Sequence, residues 1–436
     1  MKPTERRLAP GMTRRAVLST LAAWGLAGCS SSQNLLGDLL GESDNTVLPG
    51  KRESLFAPQS GGGQASEPVA VPAARTNADW PQPGGNAANA NQNLTLGRPL
   101  RRLYSVSAAA GSDSAGRLAA PPIVVGGRVH VLDAKATVRT FAAGSGRRLW
   151  RVSLVPKGED ADDGYGGGLC SDGRAVYVAT GFGEVFALNP ANGGIIWKRK
   201  TGLPFRSAPM VSGGRIFVRD AANVLHALSA SSGEEQWRHE GKGAATALIS
   251  ASAPAAGAGV IVAPFSTGEI VAFSPQGYEQ WSADLAGADA IRDVAGRPVI
   301  HGRKVFAASV TGVLAAFDVR DGSELWSVDL GGRNTPWLAG DYLFHISGRN
   351  RLSAVSAASG GVRWSASLPK GSWSGPVMGG GRLIAVSSEG RLAEISPQSG
   401  QVMNRIKLPA GSYISPVIAG GMLFVLDDEG NLTAFR

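Results

Sequence analysis

Six tryptophans stand at positions 150, 197, 237, 281, 326 and 364, and the text ahead of each falls into one register. Ala187-Leu188-Asn189 leads through Gly193 to Trp197, Ala227-Leu228-Ser229 through Gly233 to Trp237, and Ala316-Phe317-Asp318 through Gly322 to Trp326. Ala354 to Trp364 keeps the spacing, Ala272 to Trp281 is one residue shorter, and Thr140 to Trp150 and Glu394 to Asn404 keep it with altered ends. A repeat of this period confines the chain to architectures that stack one supersecondary unit on copies of itself.

Each unit reads as short strands joined by tight turns. It opens on a proline or small residue, as in Ala208-Pro209-Met210-Val211, and a second strand such as Arg215-Ile216-Phe217-Val218 follows after two or three turn residues. The glycine four residues before each tryptophan supplies the positive φ that a hairpin turn or bulge needs. The tryptophan then begins the outer strand, where its ring covers a neighbouring unit and its indole N–H reaches a backbone carbonyl. Openings near Pro122, Leu169, Pro209, Pro254, Pro298, Pro336, Pro376 and Pro416 make eight copies of about 42 residues across 98–436. The eighth copy ends at Phe435-Arg436 after three strands, while Pro99 to Val106 is an orphan strand with Tyr104 in the tryptophan slot. The expectation is an all-β, eight-bladed β-propeller with four-stranded blades, closed by its amino-terminal strand so that no edge is left open.

Composition agrees and excludes alternatives. Glycine is 60 of 436 residues, roughly twice ordinary usage, and charged residues are only 18%, which argues against helical bundles and coiled coils. Two cysteines exclude a disulfide framework and a four-cysteine zinc site. The net charge of +9 invites a nucleic-acid reading. Residues 1–29, however, carry Lys2, Arg6, Arg7, Arg14 and Arg15 against Glu5, a net +4, and the remaining +5 is spread without a basic run.

The first 28 residues read as an export signal. Arg14-Arg15 precede a mostly apolar stretch from Ala16 to Ala27, too short to span a bilayer, and Leu26-Ala27-Gly28-Cys29 follows. Thr13-Arg14-Arg15-Ala16-Val17-Leu18 resembles a twin-arginine motif, which leaves the export route open. Residues 29–97 run through Gly61-Gly62-Gly63, Pro68, Pro72 and an Asn/Ala/Gln-rich patch from Asn86 to Asn93. They are expected to form a flexible linker with a reach of about 45 Å for some 65 residues. Asn77-Ala78-Asp79-Trp80-Pro81-Gln82 is an island in that linker able to pack on the folded body.

Candidate chemistry is sparse. His130, His226, His239, His301 and His345 stand in or beside different strands at no ligand spacing, and Cys170 lies in an apolar strand. Asp318, Asp321 and Asp427 read as turn formers, and Asp160 to Gly168 as a long loop. No cofactor or metal is expected.

Two resemblances bear on function. Leu-Ala-Gly-Cys resembles the bacterial lipobox, which implies lipidation of Cys29 and an effectively permanent anchor; Ser30 in place of aspartate implies the outer membrane. The spacing A-x-[DNS]-x-x-x-G-x-x-x-W resembles the docking repeat of pyrroloquinoline quinone (PQQ) dehydrogenases, but the adjacent-cysteine pair of those enzymes is missing. The repeats together with the lipobox resemble the BamB family of the outer-membrane β-barrel assembly machinery. Leu48 to Arg52, Asn77 to Gln82, Gly332 to Asp341 and Trp373 to Val377 are similar to its alphaproteobacterial branch. That resemblance implies a cofactor-free scaffold on the periplasmic face of the outer membrane that binds BamA and works with other assembly components. The family's Leu-x-Leu-Arg contact segment falls on Thr246, Leu248 and Ile249, and its Asp-x-Asp on Asp293-Val294-Ala295, so that only one leucine and one aspartate are kept. Leu203-Pro204-Phe205-Arg206 is closer in chemistry but follows the second tryptophan. Thr246, Leu248, Ile249 and Asp293 are the expected partner contacts. The alternatives are a quinone-dependent dehydrogenase and a polysaccharide-binding propeller using Trp80, Trp337 and Trp373.

Overall fold

A computed structural model describes residues 64–243, 252–285 and 293–436. They form eight four-stranded antiparallel sheets, each built from consecutive strands except the last. Blades one to seven span Ile123–Ser153, Gly167–Lys200, Met210–Glu240, Ala255–Asp284, Val299–Val328, Trp337–Ser367 and Trp373–Lys407. Blade eight joins Val417–Ala419, Met422–Leu426 and Asn431–Phe435 to the amino-terminal strand Arg102–Ser107. The expected propeller and its closure are both present, with Tyr104 opposite Ala434 in the closing ladder.

Burial follows strand position. The first strands of adjacent blades meet one another around the axis, and the second and third strands are nearly continuous apolar runs, such as Val176–Thr180 and Glu184–Leu188. The fourth strands face solvent, as in Ile195–Lys200. Strands covered on both faces by neighbouring blades lose the alternation of a half-exposed sheet and become apolar throughout.

The repeat motif couples each blade to the next. The indole N–H groups of Trp150, Trp197, Trp237, Trp281, Trp326 and Trp364 donate to the carbonyls of Pro190, Ala230, Pro275, Val319, Ala357 and Pro397, each on the following blade, at 2.9–3.3 Å. Each ring lies on the glycine of that blade's last turn. A Cβ built on Gly233, where φ is +73°, would stand 2.6 Å from Trp197 Cε3. The glycine is therefore required by both its dihedral and the ring above it. Tyr104 does the same for the ring closure, its hydroxyl donating to Ala143 O at 2.7 Å above Gly146.

Blade seven breaks the pattern for a reason the topology supplies. Blade eight takes its fourth strand from Arg102–Ser107, Arg101 and Arg436 exchanging backbone hydrogen bonds at 2.8 and 2.9 Å, so no glycine turn joins its third and fourth strands for a ring to cover. Asn404 fills the slot and donates to Glu394, which pairs with the fully buried Arg382, and Arg382 donates to Gly97 O at 2.6 Å. A buried ion pair thus staples the seam that the tryptophan joins elsewhere.

The linker expectation needs correction over residues 64–97. This stretch wraps the propeller axis, and its island is one part of a ring of contacts. Asn77 O accepts from Gly420 N on blade eight, Trp80 exchanges two backbone bonds with Val124 on blade one, and Pro81 O accepts from Ser171 N on blade two. Gln82 bonds both backbone groups of Val211 on blade three. Ala87 O and Ala88 O accept from Ala256 N and Ile300 N on blades four and five. Gln92 accepts from Trp337 and Gly340 on blade six, and Leu94 bonds Met378 and Gly380 on blade seven. All eight innermost strands are therefore met near their carboxyl ends, where backbone groups would otherwise stand unpaired. The Asn/Gln bias follows, because an amide side chain donates and accepts at once. Residues 1–63, including Cys29 and the expected export signal, lie outside the described residues.

Candidate interaction face

At the opposite end of the axis, among the described residues, lie the loops that enter first strands and those that join second to third strands. Leu203 is exposed there, while Phe205 beside it is fully buried and meets His226 edge to face. Arg206 stacks over Tyr165 at 4.0 Å.

Asp293 does not stand at the surface. It is 1% exposed, and Val310 N donates to its backbone carbonyl. It lies close enough to the buried Arg219 for its charge to act there. Burial lowers the Arg219 guanidinium, and the carboxylates of Asp293 and Asp220 oppose that. Arg219 donates to Asn223 Oδ1 at 2.9 Å and Ser266 Oγ at 2.7 Å, and Asn223 reaches Lys242 O at 2.8 Å. The aspartate belongs to a polar hub joining blades three and four to the loop before blade five, so a direct surface contact through it is corrected to an internal one. Thr246, Leu248 and Ile249 lie outside the described residues.

The histidines separate by environment. Burial takes His130, bonded to Thr140, down to about 3 and His345 to about 4, so both are neutral. His226 lies between Asp220 Oδ2 at 3.2 Å and Glu235 Oε2 at 2.7 Å. Burial alone would lower it, but the two carboxylates outweigh burial and raise it. His239 packs on Phe265 and Phe273, and His301 is exposed at the end of its strand. Cys170 is free and fully buried, which pushes its thiol well above the ordinary range and away from nucleophilic use. Asp318, Asp321 and Asp427 accept backbone N–H groups two residues ahead, as turn formers do.

A cavity of about 280 Å³ opens among the loops that enter blades one, five, six, seven and eight. The residues do not fit a calcium-bound quinone. Among the described residues lining it there is no aspartate or glutamate to cage calcium, and no described group of three or more His, Cys, Asp or Glu could hold a metal. Trp80, Trp337 and Trp373 are 2%, 6% and 4% exposed, Trp80 stacking on Trp337 at 6.3 Å, so the aromatic platform of the polysaccharide-binding alternative is packed away.

Comparison with known proteins places this architecture. A family model described as outer membrane protein assembly factor BamB matches residues 134–366 and 348–436. Relatives described by the same words are 27% identical over 257 residues in Yersinia pestis and 29% identical over 259 residues in Burkholderia pseudomallei. The alignments cover 56% and 57% of this chain, and they span about 65% of each relative's length. Among solved structures, BamB from Moraxella catarrhalis superposes with a TM-score of 0.66 at 18% identity, covering 77% of this chain and 99% of that one. A quinohemoprotein alcohol dehydrogenase from Comamonas testosteroni reaches 0.71 at 14% identity, covering 83% and 81%. Likeness at such identities speaks to the fold alone, and the propeller is common to both. The family match rests instead on sequence, extends through the repeated blades, and identifies this chain as a member of the BamB family of outer membrane protein assembly factors.

Proposed function

We propose that this chain is a non-enzymatic scaffold of the outer-membrane β-barrel assembly machinery, anchored on the periplasmic face of the outer membrane by lipid on Cys29 after removal of residues 1–28. The observation that carries the reading is the family match, which runs unbroken across blades two to five and so through the connections at 244–251 and 286–292.

The partner in this reading is BamA, met through the connection between blades three and four. Thr246, Leu248 and Ile249 supply a small apolar contact, the kind of anchor that dominates interfaces when few charges need desolvation. The exposed Leu203, on the connection one blade earlier, adds a second apolar anchor. Asp293 acts from below, its buried carboxylate fixing the entry to blade five beside Arg219 rather than touching the partner.

The test is affinity capture of the tagged, lipidated protein from detergent-solubilised envelope. Leu248→Arg is expected to lose BamA while its unfolding midpoint stays unchanged; full retention of BamA would count against this loop. Cys29→Ala is expected to release the protein from the membrane fraction. Quinone-dependent dye reduction by the purified wild-type protein would overturn the non-enzymatic reading.

A further inference from the structure

The axial cavity is a cationic, partly apolar funnel that the scaffold reading does not use. Its charged lining residues among those described are three arginines drawn from distant parts of the chain. Arg117 precedes blade one, Arg297 precedes blade five and Arg333 precedes blade six. Arg117 and Arg333 are exposed at the mouth, whereas Arg297 is 8% exposed and comes against Gly84 of the wrapped segment, where an added Cβ would stand 3.0 Å from its Nε. Burial draws Arg297 down to about 10, so it stays cationic at neutral pH.

The mouth is built rather than incidental. Asn334 is held by three hydrogen bonds: its amide donates to Ile346 O and Trp373 O at 3.3 and 3.1 Å, and its Oδ1 accepts from Gly375 N at 3.2 Å. Arg297 N donates to Thr335 Oγ1 at 3.0 Å, tying two of the contributing loops together. Gly332, on the other side of Arg333, is so closely packed that a Cβ would meet Ile346 O at 2.8 Å. Arg333 therefore projects from a fixed backbone. Arg117 is steadied on the Tyr413 ring at 4.8 Å. Trp373 and Ile414 supply apolar wall.

Guanidinium forks recognise carboxylate and phosphate in preference to other groups, and preformed cationic concavities concentrate anions. We propose that this cavity is a binding site for a small organic anion bearing carboxylate or phosphate groups, held by Arg117 and Arg333 at the mouth and Arg297 within. The volume suits a ligand of about ten to fifteen heavy atoms, or the terminal residues of a peptide.

The experiment is calorimetric titration of the purified full-length protein at constant ionic strength with four probes: citrate, inorganic phosphate, a tripeptide with a free carboxyl terminus, and the same tripeptide amidated. One-to-one saturable binding of at least one anionic probe is expected. Each of Arg117→Ala and Arg333→Ala should weaken it about tenfold, as expected for loss of one charge-assisted hydrogen bond. Both side chains are exposed, so neither change should shift the unfolding midpoint, and neither should affect capture of BamA. Citrate or phosphate binding identifies a free small anion as the source. Binding of the free tripeptide and not its amide identifies a polypeptide terminus. Absence of saturation with every probe, or binding unchanged in both variants, overturns the proposal while leaving the scaffold reading intact.

Discussion

Replacing Gly233 by alanine tests why the repeat needs its glycine. Two separable costs are expected. The residue has φ of +73°, which costs a side chain about 1 kcal/mol. The new methyl would also stand 2.6 Å from Trp197 Cε3 and 2.8 Å from Cζ3, far inside the roughly 3.5–4.0 Å of ordinary carbon contact. The indole must move, which costs about 1–3 kcal/mol as overpacking, and its 3.1 Å bond to Ala230 O is lost or bent at about 1 kcal/mol. The total is about 3–5 kcal/mol. Gly214 is the internal control, since its φ is +74° but nothing lies within 4 Å of its added Cβ. Gly214→Ala should cost only the dihedral term of about 1 kcal/mol. Urea unfolding is the preferred assay, because for a body of over 300 residues 1 kcal/mol moves the thermal midpoint only about 1–2 °C. In a Trp197→Ala background, Gly233→Ala should fall to the Gly214 value, a coupling of about 2 kcal/mol or more. Equal costs at Gly233 and Gly214 in the wild-type background would refute the ring contact as the reason for the glycine.

Further outcomes follow from other parts of the molecule. Trp80→Ala removes a ring 2% exposed and stacked on Trp337, and is expected to destabilise the propeller by about 3–5 kcal/mol in urea; a free tether would give no change. Deleting residues 98–107 should lower the thermal midpoint sharply by reopening blade eight, whereas Tyr104→Phe should cost only about 1 kcal/mol for its bond to Ala143 O; an unchanged melt in the deletion would refute closure by this strand. His226 has its pKa raised above 6.5 in the folded state. Its contribution is therefore full below that value and fades as pH rises through the higher folded value. Stability measured across that window should decline in the wild type, and His226→Gln should flatten the decline; an equal slope in both would exclude this histidine as its source.

Much of the fold was legible because a propeller repeats local instructions. The Ala, Gly and Trp positions of one blade carry a turn, a positive φ and a ring, and seeing them recur was enough to count blades and to recognise Tyr104 as the closing member. Asn404 was visible as an exception, but its cause was not. That required knowing that Arg101 and Arg436 pair where the next glycine turn would be, with Arg382 and Glu394 taking over the joint. The segment from 64 to 97 departs from the expected linker for a related reason. Its Asn, Gln, Pro and Gly content is that of a loop, and the partners that order it sit one per blade, hundreds of residues apart in sequence and adjacent only around the axis.

The functional residues divide along the same line. By itself the sequence determined the number of blades, the means of closure and the family, since each is written in contiguous residues or in a fixed period. Only the tertiary structure decided that Asp293 is buried beside Arg219, that Trp80, Trp337 and Trp373 are packed away, and that Arg117, Arg297 and Arg333 share one cavity. Burial and charge convergence depend on which loops the closed ring brings together, and no local pattern along the chain encodes that distance.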